Sequence, residues 1–142
     1  MQQNKENTNA FLIHISSFAG YLSPLGSIIT PLILWQTLKD RSEYLDEHGK
    51  EAVNFNISFG IYIFILSASF FSFFFGNFYE IFNGINIDFG EYHSYNGLFG
   101  FLGVASLVSV VTLIKIALII IAAMKANKGE TYKYPFTINF IK

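Results

Sequence analysis

An all-α membrane protein is the fold class this sequence predicts, and three observations carry that reading. The chain is 52% hydrophobic and only 13% charged, against roughly 25% charged in soluble globular domains. Its charges are segregated: residues 56–79 hold none, and residues 92–114 hold only His93. Uncharged runs of this length reach the ~20 residues that a helix needs to cross a ~30 Å hydrocarbon core. With 142 residues the chain has room for one domain. The expected architecture is a short N-terminal helical pair, broken at Ser23-Pro24, followed by two full transmembrane helices.

Residues 1–10 form a polar N-terminus with Lys5 as the single cation. The apolar stretch after it contains prolines and lacks a small-residue cleavage site, which argues against a cleaved signal peptide. Residues 11–38 are apolar but interrupted by Gly20, Pro24, Gly26 and Pro31. Pro24 lacks an amide donor and disfavours helix at the residue before it, so the first helix should stop near Leu22. Ser23 then caps a second helix with Pro24 at its first position. Each half is about 12–14 residues, or roughly 18–21 Å, too short to cross alone. One kinked span and a re-entrant hairpin of two short helices both satisfy this pattern.

Residues 42–76 make the third helix, with Glu43, Asp46 and Glu47 in its first turns, where the helix dipole favours acid. Its Phe-rich end stops at Gly76. Residues 77–96 read as an extracytoplasmic loop with Asn83-Gly84 as a hairpin turn. Residues 97–126 form the fourth helix, closed by Asn127-Lys128-Gly129, and residues 127–142 a cytoplasmic amphipathic tail. The positive-inside rule sets the orientation. Lys39, Arg41, Lys50, Lys125, Lys128, Lys133 and Lys142 flank the spans on one side, while the 77–96 loop has no Lys or Arg.

The segment Tyr44–Asn56 concentrates polar chemistry next to the uncharged run. On a helix, His48, Glu51 and Phe55 share one face and Glu47, Lys50 and Asn54 another. His48, Lys50, Glu51 and Asn54 are therefore the candidate interfacial cluster for binding a partner, ion or headgroup. The plainer alternative is a helix anchored at the headgroups by a Glu47–Lys50 pair. A His-x-x-Glu pair supplies two ligands, short of the three or four a zinc site wants, so no metal is expected. Lys115 lies within the fourth helix, where an amine costs roughly 2.5–3.5 kcal/mol near the bilayer centre. Glu51, Asn54, Asn56 and helix-one carbonyls near Pro24 are its candidate partners, and snorkelling is the alternative. Ala105, Ser109 and Thr112 form a small polar stripe near it. His14 shares a face with Ser17 and Tyr21 and is the second candidate intramembrane polar contact. Asp88, Glu91 and His93 form an acidic outer group, more simply read as solvated.

A net charge of −1 with no basic patch leaves no case for nucleic acid. The absence of cysteine removes disulfides and thiolate chemistry. No G-x-S-x-G, H-E-x-x-H or phosphate-cradling glycine loop occurs, so neither an enzyme nor a cofactor is expected.

Several short motifs occur in order. His14-Ile15-Ser16, Gly20-Tyr21, Pro24-x-Gly26, Pro31-Leu32 and Trp35 precede Asp46-Glu47-His48-Gly49-Lys50-Glu51-Ala52-x-Asn54-Phe55. Ala122-Ala123-x-Lys125-Ala126-Asn127-x-Gly129-Glu130 and Tyr132-Lys133-Tyr134-Pro135-Phe136-Thr137-Ile138 follow. In these the chain resembles the bacterial Tic-twenty-like family, small membrane proteins distantly similar to a chloroplast inner-envelope import subunit. The resemblance implies four helices with both termini on one side, and so favours the hairpin. The long 77–96 segment departs from the tight turn those proteins use. The expected function is a non-enzymatic subunit, scaffold or accessory of a larger complex in the bacterial plasma (inner) membrane. The alternative is a small transporter or channel acting as a homo-oligomer, with Gly20–Gly26 facing Lys115. The expected partners are the lipid bilayer and a membrane protein or second copy of the chain.

Overall fold

The computed structural model describes the backbone of residues 2–23, 25–83 and 93–142, with side chains except at 72–74, 76–83 and 93–101. Four α-helices carry the chain: α1 (Gln2–Ile15), α2 (Gly26–Leu38), α3 (Glu43–Asn83) and α4 (His93–Asn127). Short 3-10 segments, Ser16–Tyr21 and Lys39–Arg41, follow α1 and α2. No strand occurs among the described residues. They divide into two compact units, one of residues 1–60 and 114–142, the other of residues 61–113.

In the first unit α1 and α2 form a hairpin, which decides between the two arrangements open to the sequence. Gly26 lies so close to the Ala19 carbonyl that no Cβ would fit, and Gly20 lies against Ser27. The chain therefore reverses sharply, with the Gly26 amide donating to the Ser23 carbonyl at 2.8 Å. Ser23 does not cap α2 as expected: Leu25 is the residue before the helix, and no side chain caps it. Pro31 does not break α2 either. It is fully buried, so packing holds the helix across the missing amide. The expected polar N-terminus is itself helical from Gln2. Ala10 and Ile13 anchor it in the core, and Asn7 sits against Asn127 and Gly129.

The hairpin lies along the start of α3. Trp35 packs directly on Gly49, where a Cβ would collide with the indole, and its Nε1 donates to Asp46 Oδ1 at 2.8 Å. The ends meet where Tyr44 donates its hydroxyl to the Ala126 carbonyl at 2.7 Å. There α4 closes in a Schellman turn, with Gly129 at φ 79° and the amides of Gly129 and Glu130 bonded to Ala126 and Lys125. Leu45, Ala52 and Ala126 complete the core around Ala10 and Ile13.

α3 runs through Gly76 to Asn83 and α4 starts at His93, so the expected 77–96 loop is helical at both ends. A lone glycine costs a helix only about 1 kcal/mol, too little to end one this long. The Asn83-Gly84 turn, Asp88 and Glu91 lie outside the described residues, as does the His93 side chain.

α3 and α4 are each long and apolar enough to cross a membrane, over Glu43–Phe71 and Leu102–Asn127. The second window has a mean hydropathy of 2.7 yet is only 17% buried, the reverse of a soluble core helix. In the second unit Phe64 and Leu113 are exposed, and Ser69, Ser109 and Thr112 bond to carbonyls of their own helix. Such back-bonding satisfies a hydroxyl without a partner helix.

Gly49→Ala should lower stability by about 1–3 kcal/mol, the usual cost of overpacking. Thermal unfolding in detergent checks this; an unchanged midpoint would refute the Trp35 contact.

Candidate functional site

The chain's polar residues converge where α1, α3 and the segment after α4 meet. Tyr134 Oη and His14 Nδ1 are 2.9 Å apart, and His14 Nε2 and His48 Nδ1 are 2.8 Å apart. His14, His48 and Tyr134 are all buried. Burial and the neighbouring His48 push the His14 pKa down to about 3, while burial, then Tyr132 and Glu51, raise that of Tyr134 well above 10. At neutral pH His14 is therefore uncharged and Tyr134 a phenol. The single proton on His14 serves both bonds in either direction. If Tyr134 donates, His14 Nε2–H donates onward and His48 carries its proton on Nε2. That Nε2 is buried without a hydrogen-bond partner among the described residues.

A second group of bonds holds residues 131–142, which have no regular secondary structure apart from a turn at 135–136 and lie along α3. Asn54 Oδ1 accepts the amides of Phe140 and Ile141 at 3.2 and 2.9 Å, and its Nδ2 donates to the Ile141 carbonyl at 2.9 Å. Ser58 Oγ accepts from the Ile138 amide at 2.9 Å and Glu51 Oε2 from the Tyr134 amide at 3.2 Å. Phe55 stacks on Tyr134 with ring centroids 3.9 Å apart and planes 12° apart. Positions 51, 54, 55 and 58 share one helix face, so one stripe of α3 binds the tail. Asn56 points elsewhere, donating to Ser17 Oγ at 2.7 Å and to the Ala52 carbonyl at 2.8 Å.

Of the residues singled out in the sequence, His48, Glu51 and Asn54 come together, and His14 joins them. Lys50 lines one hollow with His48, Glu51 and Asn54, while its amine pairs with Asp46 at 2.6 Å rather than with Glu47. Asp46 is already fixed by Trp35 and stands one turn away, the better spacing for a helical ion pair. Ser17 is buried on Asn56, whereas Tyr21 is exposed. Lys115 is half-buried with no ion pair or hydrogen bond among the described residues, since Glu51, Asn54 and Asn56 are engaged elsewhere. Tyr134 and Ser58 carry much of the site; Ser58 stands at helical spacing from Glu51 and Asn54, whereas no periodicity marks Tyr134. The only signal was the run Tyr132–Ile138, aromatic and apolar beyond what a solvated tail needs.

Beside the strap lies an open hollow of about 750 Å³ whose walls include Glu47, His48, Lys50, Glu51, Thr131 and Lys133. Among the described residues no three His, Asp or Glu side chains are grouped as a metal site requires.

The family model described as the magnetosome magnetite crystal formation protein family, MamF/MmsF, matches residues 5–141. The chain belongs to that family. No curated protein and no solved structure matches it. The match replaces the resemblance to the Tic-twenty-like family, which finds no support. The motifs behind that resemblance are short, and a helix with an acidic first turn before an apolar run is a general solution to entering a bilayer. Membership and the two apolar helices place the protein in a membrane.

Two outcomes are expected. Asn54→Ala leaves two amides and a carbonyl of the tail unpaired and should cost about 2–3 kcal/mol, with the tail becoming protease-sensitive before the helices. Stability should also rise with pH between about 3 and 6.5. The unfolded chain protonates His14 below 6.5, but the folded chain does so only near 3, so its contribution is complete above 6.5 and lost as pH falls. The share of the slope that His14 contributes should approach about 1.4 kcal/mol per pH unit and be lost in His14→Phe; denaturant titrations of both proteins across that range measure the difference.

Proposed function

We propose that this member of the magnetosome magnetite crystal formation protein family is a non-enzymatic accessory of the magnetosome membrane. In this reading α3 and α4 hold it in the bilayer, and the end rich in Lys and Arg faces the cytoplasm. That end offers a partner a prefolded docking face. The observation that carries the reading is how the buried polar groups are spent. Asn54, Ser58, Glu51 and the Tyr134–His14–His48 chain fasten the tail and α1 to α3. Exposed charges such as Glu47 and Lys133 are left at the rim of the hollow. A network committed to structure fits a scaffold better than an acid–base site, which needs a group within reach of substrate.

The channel alternative has less behind it. The Gly20–Gly26 turn proposed to face Lys115 is filled by its own contacts with Ala19 and Ser27.

Deleting the gene should alter magnetite crystal size or number seen by electron microscopy, and the wild-type chain should restore them. A Glu47→Lys, Lys133→Glu double variant, with its tail still protease-resistant, should restore them only in part. Unchanged crystals on deletion would overturn the accessory role. Full rescue by the double variant would overturn the docking face.

A further inference from the structure

We infer that residues 134–141 form a re-entrant loop whose outer side lies in the headgroup–acyl boundary of the bilayer. Its path is recorded by its bonds to α3. The Tyr134 amide is fixed at Glu51, the Ile138 amide at Ser58, and the Phe140 and Ile141 amides back at Asn54. At 1.5 Å rise per residue the loop descends about 10 Å along α3 and then returns about 6 Å. Ile141 and Lys142 finish beside Asp46 and Lys50. A turn at Pro135-Phe136, with Phe136 at φ 60°, lies on the descent, and the reversal falls after Ile138, whose carbonyl accepts the Phe140 amide at 3.0 Å.

The direction of descent is toward the uncharged run of α3, which begins at Asn56. Ser58, at the apex, lies inside that run. The charge pattern of the loop agrees: Lys133 and Lys142 stand at its two ends, and residues 134–141 hold no charge. Irregular backbone at such depth is tolerated only when its polar groups are paired by protein. Here four of the loop's seven amides are taken by Glu51, Ser58 and Asn54, and Pro135 has none to satisfy. The Thr137 hydroxyl is buried without a partner among the described residues. Three apolar side chains of the loop are exposed, Phe136 at 79%, Ile138 at 45% and Phe140 at 49%, alternating with half-buried Thr137 and exposed Asn139. Lipid is the occupant that fits such exposed apolar side chains at this level, and Ile29, Ile33 and Ile121 of the same unit are exposed as well.

The sequence contains no cysteine, so single spin labels report depth directly. Full-length protein with Ile138→Cys, Phe140→Cys or Lys142→Cys would be labelled in phosphatidylcholine–phosphatidylglycerol vesicles. Power saturation with oxygen and a water-soluble nickel chelate gives the accessibility of each site. Oxygen should exceed nickel at 138 and 140, with the ratio inverted at 142. Higher nickel accessibility at 138 and 140 would put the loop in water and overturn the inference. Protection from both reagents would mean protein covers it, a second copy included, and would overturn it equally. Two apolar sites are used so that one poorly folding variant does not decide the matter.

Discussion

The Asn54 carboxamide binds two backbone amides and one carbonyl of a segment more than eighty residues away. Much of the first unit pairs such groups where water is scarce, although His48 Nε2, Asn56 Oδ1 and Thr137 Oγ1 are buried without a partner among the described residues. An unpaired amide in an apolar setting costs several times what a hydrogen bond nets in water. Asn54, Asn56 and Ser58 sit at the start of an uncharged run, so each needs a protein partner. The tail supplies partners for Asn54 and Ser58, and Ser17 of the hairpin supplies one for Asn56. Once those partners are fixed, the hairpin and the tail have no freedom to lie elsewhere on α3.

The histidine chain extends the same constraint. Its members come from α1, α3 and the tail, so each bond joins segments distant in sequence. Because His14 stays neutral, the chain adds no net charge to a site that could not solvate one. It ties three elements together without the desolvation cost of a buried ion pair. The formal ion pair nearby, Asp46–Lys50, is partly exposed, where water shares the cost.

Much of this was legible beforehand, for identifiable reasons. The uncharged runs announce α3 and α4 because length and hydropathy alone decide insertion. His14, His48, Glu51 and Asn54 stood out because polar groups beside such runs need a reason to be there. What the sequence hid is tertiary. The tail carries neither helical nor alternating periodicity, since it is fixed by backbone bonds to α3 side chains, and those leave no pattern in its own residues. The start of α2 lies two residues later than expected because Ser23-Pro24 is a good capping pair locally. The contact of Gly26 with Ala19 overrides it. Lys50 was paired with Glu47 because Trp35, which fixes Asp46, is remote in sequence.

Lys115 fits the same scheme once its level is measured. Tyr44 and Ala126 are level, joined by a hydrogen bond. Counting the same number of residues inward along each helix sets Lys115 roughly beside Phe55. Lys115 is thus at the level of Asn54 and Asn56. Beyond it on α4, residues 94–113 are uncharged, as residues 61–79 are on α3. A long lysine side chain can carry its amine along the helix toward headgroups, a reach that the short, amide-bearing asparagines at the same level lack. Asn54 is bound by the tail, whereas Lys115 makes no ion pair or hydrogen bond among the described residues.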